Sequence, residues 1–124
     1  MAHRILLIED DPLIGNIIKR SLDKSGFEVR YVTNGEEGMK EIEQNPPDLI
    51  LLDIILPGMN GFDLLQRVKK NPERNTIPVI VISNLGSRDD VDKGISLGAD
   101  AYLVKSNVLP EEIIAKVKSI LQGR

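Results

Sequence analysis

Cysteine is absent from the 124-residue chain, which excludes disulfides, thiolate metal sites and cysteine nucleophiles together. Tryptophan is absent too, and two Tyr and two Phe are the whole aromatic complement, too few to stack successive bases. The one histidine, His3, stands beside the N-terminus, so no histidine metal cage or catalytic triad can be assembled. Positive charge is not in surplus: 16 Lys and Arg against 19 Asp and Glu leave a net charge of −3, without the field that holds a nucleic-acid backbone. Apolar runs stop at four residues, far short of the roughly 20 that a membrane-spanning helix needs. The stretch after Met1-Ala2-His3-Arg4 is also too short for a signal peptide. What remains is a small, acidic, cytoplasmic domain expected to contact neither nucleic acid nor membrane directly.

Two textures alternate along the chain. Short runs rich in β-branched residues and leucine at Ile5–Ile8, Phe27–Val32, Leu49–Leu52, Pro78–Ile82 and Ala101–Val104 read as strands. Between them, apolar residues recur three and four apart, the helical period. Ile14, Ile17, Ile18 and Leu22 form the first stripe, Leu64, Leu65 and Val68 the third, and Ile113, Val117, Ile120 and Leu121 the last. Five strands alternating with five helices predict a parallel sheet covered on both faces. Pro12 and Pro110 suit first helical turns. Asn34 with Glu37, Asn60 with Asp63 and Ser87 with Asp90 have helix-capping spacing; Gly26 and Gly98 fall where helices should stop. With no linker or composition break, residues 1–124 read as one domain. Residues 87–97 offer only Val91 and Ile95 as a stripe, with Gly94 inside, and predict a loosely held helix.

Glu9, Asp10 and Asp11 follow directly on the first apolar run, and Asp53 interrupts Leu49-Ile50-Leu51-Leu52-Asp53-Ile54-Ile55-Leu56. A carboxylate inside such a run is costly unless paired or metal-bound. In open α/β sheets ligands bind beyond the carboxyl ends of strands, where the strand order reverses. Acids from strands one and three would converge there and repel, a conflict that a hard cation such as Mg²⁺ resolves. Asp11, before Pro12, reads as an N-cap, and Glu9 and Asp10 read equally as solvated loop acids. Ser83 and Lys105 follow directly on the fourth and fifth runs, at the ends of strands four and five. A hydroxyl, an ammonium and three acids on one sheet edge suit a phosphoryl group, with a carboxylate as nucleophile.

Taken in order, Glu9-Asp10, Asp53, Leu56-Pro57-Gly58-Met59-Asn60-Gly61, Ser83, Gly98-Ala99-Asp100 and Tyr102 three before Lys105 make the chain resemble a CheY-like receiver domain of two-component response regulators. The resemblance runs from Arg4 to about Leu121. It implies a flavodoxin-like (βα)5 fold with strand order 2-1-3-4-5. It also implies a phosphorelay switch rather than an enzyme, promoting only its own phosphoryl transfer and dephosphorylation. Asp53 would accept a phosphoryl group from phosphohistidine on a sensor histidine kinase or phosphotransfer protein. Asp10, Asp53 and the Ile55 backbone carbonyl would bind Mg²⁺, with Glu9 acting through water. Lys105 and Ser83 would hold phosphoryl oxygens. Tyr102 would turn inward with Ser83 and alter the face of helix four, strand five and helix five, the expected contact for a downstream partner, an output domain or a second copy of the chain.

Three positions depart from the family pattern. Ser106 follows Lys105 where Pro is usual. Asn84 replaces a small residue and is a candidate gate over Asp53. Ile55 and Leu85 are apolar where the family influences attacking water, which implies slow self-dephosphorylation; faster decay in Ile55→Asn would bear this out and unchanged decay would refute it. Other readings stay open. A flavin carrier is disfavoured by acids where a phosphate loop belongs, and an Asp-nucleophile phosphatase by Ile55 where a second acid belongs. A phosphorylation-independent binding module is disfavoured by the intact acids, Ser83 and Lys105. The start at Met1 and a helix reaching the C-terminus favour a stand-alone protein over a piece of a longer regulator.

Overall fold

Each apolar run becomes a strand and each periodic segment a helix. β1 (Arg4–Ile8), β2 (Glu28–Val32), β3 (Leu49–Leu52), β4 (Val79–Ser83) and β5 (Ala101–Val104) alternate with α1 (Pro12–Lys24), α2 (Gly35–Gln44), α3 (Gly61–Lys70), α4 (Arg88–Ser96) and α5 (Pro110–Gln122). The computed structural model describes residues 2–123, so expectations resting on Met1 and on the final Arg124 lie outside the described residues.

All pairings are parallel, and the strand order is β2-β1-β3-β4-β5. Alternate residues of the central strands serve opposite faces, as the period of two requires. Leu6, Ile8, Ile50, Leu52, Val79 and Val81 pack with Ile42 of α2 and Leu64, Leu65 and Val68 of α3. Ile5, Leu7, Leu49, Leu51, Ile80 and Ile82 pack with Ile18 and Leu22 of α1 and Ile113 and Val117 of α5. Burial on both faces explains why these strands are continuously apolar rather than alternating.

Helix ends follow local chemistry. Asn34 accepts from the Glu37 N–H at 2.9 Å and Ser87 from the Asp90 N–H at 3.1 Å. Asn60 caps α3 by accepting from the Phe62 N–H at 2.7 Å, not from Asp63 as the spacing suggests. Gly26 and Gly98 carry positive φ, at 92° and 109°, where α1 and α4 end.

Several details differ from the sequence reading. Arg4 and Ser83 belong to strands, whereas Phe27 and Pro78 lie outside them. Ile17, at the margin of the α1 stripe, is 44% exposed, while Ile114, outside the α5 stripe, is buried. In α4 the expected stripe is not buried: Ile95 is 47% exposed, Val91 is half-buried, and the buried residue is Gly94.

Candidate functional site

Register brings the acids together. Ile8 is paired with Leu52, and Leu52 with Val81, so β1 and β3 end level on one edge of the sheet and β4 runs two residues further, to Ser83. The next residues stay pinned to that edge: Glu9 N–H donates to Val32 O at 3.1 Å, and Asp53 N–H to Ile8 O at 3.0 Å. Behind Asp53, α3 begins in close contact. A Cβ on Gly61 would collide with Asp53 O and lie 2.5 Å from Ile54 Cα, so only glycine lets the helix start there. The Gly61 N–H donates to Ile54 O at 2.9 Å, which fixes the backbone just after Asp53.

Carboxylate oxygens of Glu9, Asp10 and Asp53 lie within 4.8 Å of one another. Glu9 and Asp53 are buried, whereas Asp10 is exposed, so the loop-acid reading holds for Asp10 in exposure alone and fails for Glu9. Lys105 Nζ donates to Asp53 Oδ2 at 2.8 Å and stands 2.5 Å from Glu9 Oε1. The second contact is ionic without being a well-aligned hydrogen bond, because Glu9 Oε1 has no partner of acceptable geometry. Glu9 Oε2 accepts from the Asp11 N–H at 3.1 Å, and Asp53 Oδ1 from the Ile55 N–H at 3.3 Å. Asp11 caps α1 through the Leu13 N–H at 3.0 Å, as its place before Pro12 suggests.

These contacts set the electrostatics. Burial pushes the Glu9 carboxyl up to about 7 against the pull of Lys105 and the Asp11 N–H, and the Asp53 charge adds to the rise. Burial works against the Lys105 ammonium, but Asp53 and Glu9 outweigh it and raise Lys105 above its ordinary value. One cation thus faces two buried acids and a third nearby. That excess of hard oxygen donors fits a divalent cation such as Mg²⁺.

Around the acids lies a depression of about 240 Å³, lined by Asp10, Asp11, Ile14, Asp53, Ile55, Asn84 and Lys105. Asn84 is exposed on its rim and Ile55 is 55% exposed. Lys105 lies just past β5, in a 3-10 turn over Lys105–Asn107, and no cis peptide bond occurs among the described residues.

Ser83 and Tyr102 meet at Leu85, which the resemblance marks for its apolar side chain near attacking water and not for its backbone. The Leu85 N–H donates to Ser83 Oγ at 3.2 Å, and the Tyr102 hydroxyl donates to Leu85 O at 2.5 Å. Side-chain patterns could not show this link, because Leu85 contributes only its backbone. Tyr102 is half-buried against the first core cluster, and burial followed by the Asp90 charge raises its hydroxyl above its ordinary value. Asp100 serves structure: its Oδ2 accepts from the Val79 N–H at 2.8 Å and pairs with Lys69 at 3.6 Å.

A doubly wound parallel sheet with an acid trio and a lysine at its switch-point edge defines a flavodoxin-like α/β protein. The chain belongs to the response regulator receiver domain family, whose model matches residues 5–118. It is 33% identical over 122 residues to the phosphate regulon transcriptional regulatory protein PhoB of Rhizobium meliloti, covering 98% of this chain and 53% of that protein. It is 37% identical over 119 residues to the DNA-binding dual master transcriptional regulator RpaA of Synechocystis, covering 96% of this chain and 49% of that protein. Among solved structures, a CheY-like receiver domain protein from Methanospirillum hungatei superimposes with a TM-score of 0.91 at 32% identity, covering 99% of this chain and 96% of that one.

The chain spans about half the length of the curated relatives it matches. The family's general function is a phosphorylation switch: its members are regulatory domains that typically bind Mg²⁺ at an acidic pocket and work with sensor kinases and output domains. RpaA is described as DNA-binding, which conflicts with the expectation of no direct nucleic-acid binding if that expectation is extended to a longer protein. Among the described residues no helix is long and apolar enough to cross a membrane.

Proposed function

We propose that the chain is a phosphorylation-activated switch in which Asp53 is the phosphoacceptor. The observation that carries this reading is the convergence of Glu9, Asp10 and Asp53 oxygens within 4.8 Å, with Lys105 Nζ 2.8 Å from Asp53 Oδ2. In the transfer, an Asp53 oxygen forms a bond to phosphorus as the P–N bond of a phosphohistidine protonated on its other ring nitrogen breaks, giving an acyl phosphate and releasing neutral imidazole, which keeps that proton. Lys105, already facing Asp53, is placed to pair with a phosphoryl oxygen. The buried Ser83 hydroxyl, whose oxygen accepts from the Leu85 N–H, would donate its own proton to another such oxygen. Asp10, Asp53 and the Ile55 carbonyl would hold Mg²⁺ directly and Glu9 through water; the bound ion would neutralise charge on the phosphoryl oxygens. Asn84, exposed at the rim of the same depression, would gate access.

Exposed Leu13, Ile17, Ile55 and Leu109 support a protein donor, a sensor histidine kinase or a histidine phosphotransfer protein, over a small molecule alone. Output would pass through Tyr102 to the face of α4, β5 and α5, which would contact a downstream partner, an output domain or a second copy of the chain. The domain would act in the cytoplasm and promote only its own phosphorylation and dephosphorylation. Residues 1–124 would constitute one receiver domain; the half-length coverage of the relatives supports its belonging to a longer regulator.

Intact mass after incubation with acetyl phosphate tests the assignment. A single phosphoryl adduct that requires Mg²⁺ and is absent from Asp53→Asn is expected. Absence of the adduct with both acetyl phosphate and a phosphohistidine donor would overturn the reading in favour of a phosphorylation-independent binding module.

A further inference from the structure

The one buried residue of α4 is the glycine in its interior. A Cβ built on Gly94 would lie 2.7 Å from Cδ2 and 3.0 Å from Cε2 of Tyr102, and 3.8 Å from Cε1 of Phe62. Carbon atoms in contact settle at about 3.5–4.0 Å, so the Tyr102 ring fills the volume that any other side chain at 94 would need. Backbone conformation does not explain the glycine, because Gly94 is not among the residues with positive φ. Helix propensity opposes it, since glycine is the poorest interior residue after proline. The close approach of Tyr102 is the remaining requirement.

The ring cannot give way without consequence. Its hydroxyl donates to Leu85 O, and the Leu85 N–H in turn donates to Ser83 Oγ. Lys93, the residue before Gly94, sets its ammonium 4.5 Å from the centroid of the buried Phe62 ring. A side chain at 94 would thus meet two aromatic rings, Phe62 from α3 and Tyr102 from β5, and Tyr102 is the ring tied to the loop that follows Ser83.

We propose that Gly94 is a positioning residue for Tyr102: its missing side chain is the seat of the ring, and through that seat the Ser83–Leu85 segment is coupled to the surface of α4. The functional half of this inference rests on the phosphorylation reading above; the seating of the ring does not. Gly94→Ala evicts the ring and breaks the hydroxyl link to Leu85. It leaves Asp53, Lys105 and the acids untouched.

The composition supplies a clean probe, because Tyr31 and Tyr102 are the two tyrosines and there is no tryptophan. In protein labelled with 3-fluorotyrosine and carrying Tyr31→Phe, a single ¹⁹F line reports Tyr102. Spectra of the parent and of Gly94→Ala are compared before and after acetyl phosphate with Mg²⁺, with intact mass measured on the same samples. Gly94→Ala is expected to move the Tyr102 line towards the position of free fluorotyrosine and to abolish its response to phosphorylation at unchanged adduct yield. A line and a response identical to the parent's overturn the proposal. If neither protein takes an adduct, the phosphorylation reading fails, and the line position before treatment still decides the seat. A second arm keeps the test independent of spectra. Gly94→Ala should lower the melting temperature in the parent and raise it in a Tyr102→Ala background, where the ring is gone; equal shifts in both backgrounds overturn the proposal.

Discussion

α3 and α4 follow neighbouring strands of the same sheet, yet they are held in different ways. α3 buries Gly61, Phe62, Leu64, Leu65 and Val68 along its first two turns, whereas α4 buries Gly94. The strands they follow, β3 and β4, are buried throughout, but α4 also packs beside β5, where Tyr102, Leu103 and Val104 are half-buried. The well-anchored pair positions Asp53, where a shift of an ångström would spoil a phosphoryl-transfer geometry. The loosely anchored pair carries Tyr102 and an exposed face, where mobility is an asset. On the proposed function, the phosphoacceptor Asp53 sits on the more deeply buried half of the molecule and the responding Tyr102 on the less buried half, with Lys105, just past β5, reaching from the second to the first.

Cutting into the rigid half should give the largest effect. Leu65 is fully buried in the first core cluster, and Leu65→Ala should cost about 2–5 kcal/mol from lost burial and the cavity left behind. Urea denaturation measures it. A loss below about 1 kcal/mol would mean that α3 repacks as freely as α4, and the contrast between the two helices would collapse.

The acids of the rigid half add a pH signature. Glu9 is held at about 7 against an ordinary 4.5. Between those values the folded protein keeps a proton that the unfolded chain has released, so the Glu9 contribution to stability falls as pH rises and levels off above the folded value. At about 1.4 kcal/mol per pK unit the swing is on the order of 3 kcal/mol at most. Melting temperatures recorded in EDTA across this range should decline more steeply in the parent than in Glu9→Gln. Parallel curves would show that Glu9 is solvated like an ordinary loop acid.

Much of this contrast is legible in the order of the residues alone. Unbroken runs such as Leu49–Leu52 declare strands buried on both faces, and an aspartate directly after one declares a site. The thin stripe of residues 87–97 already marks α4 as the weakly held helix. Other features depend on what a third element does. Ile17 and Ile114 exchange exposure and burial because the neighbouring helix decides which margin of a stripe is covered. The bridge from Ser83 to Tyr102 runs through the backbone of Leu85, which leaves no trace in side-chain patterns. Gly94 reads as a helix defect until the Tyr102 ring is seen against it, although a glycine inside a helix and an aromatic on the facing strand together form a signal that can be sought elsewhere.

The smallest effect should come from the apolar residue that looks most like core in α4. Ile95 is 47% exposed, so trimming it removes little buried area and leaves no cavity. Ile95→Ala should change stability by no more than about 0.5 kcal/mol, several-fold less than Leu65→Ala in the same denaturation experiment. The gain in helix propensity on replacing a β-branched residue with alanine works in the opposite direction to the lost contact, so even the sign is close to balanced. A cost comparable to that of Leu65→Ala would mean that something covers Ile95 in solution. The most direct check is to repeat the measurement over a hundredfold range of protein concentration, because a second copy of the chain seated on α4, β5 and α5 would make the cost rise with concentration, whereas burial within one chain would not.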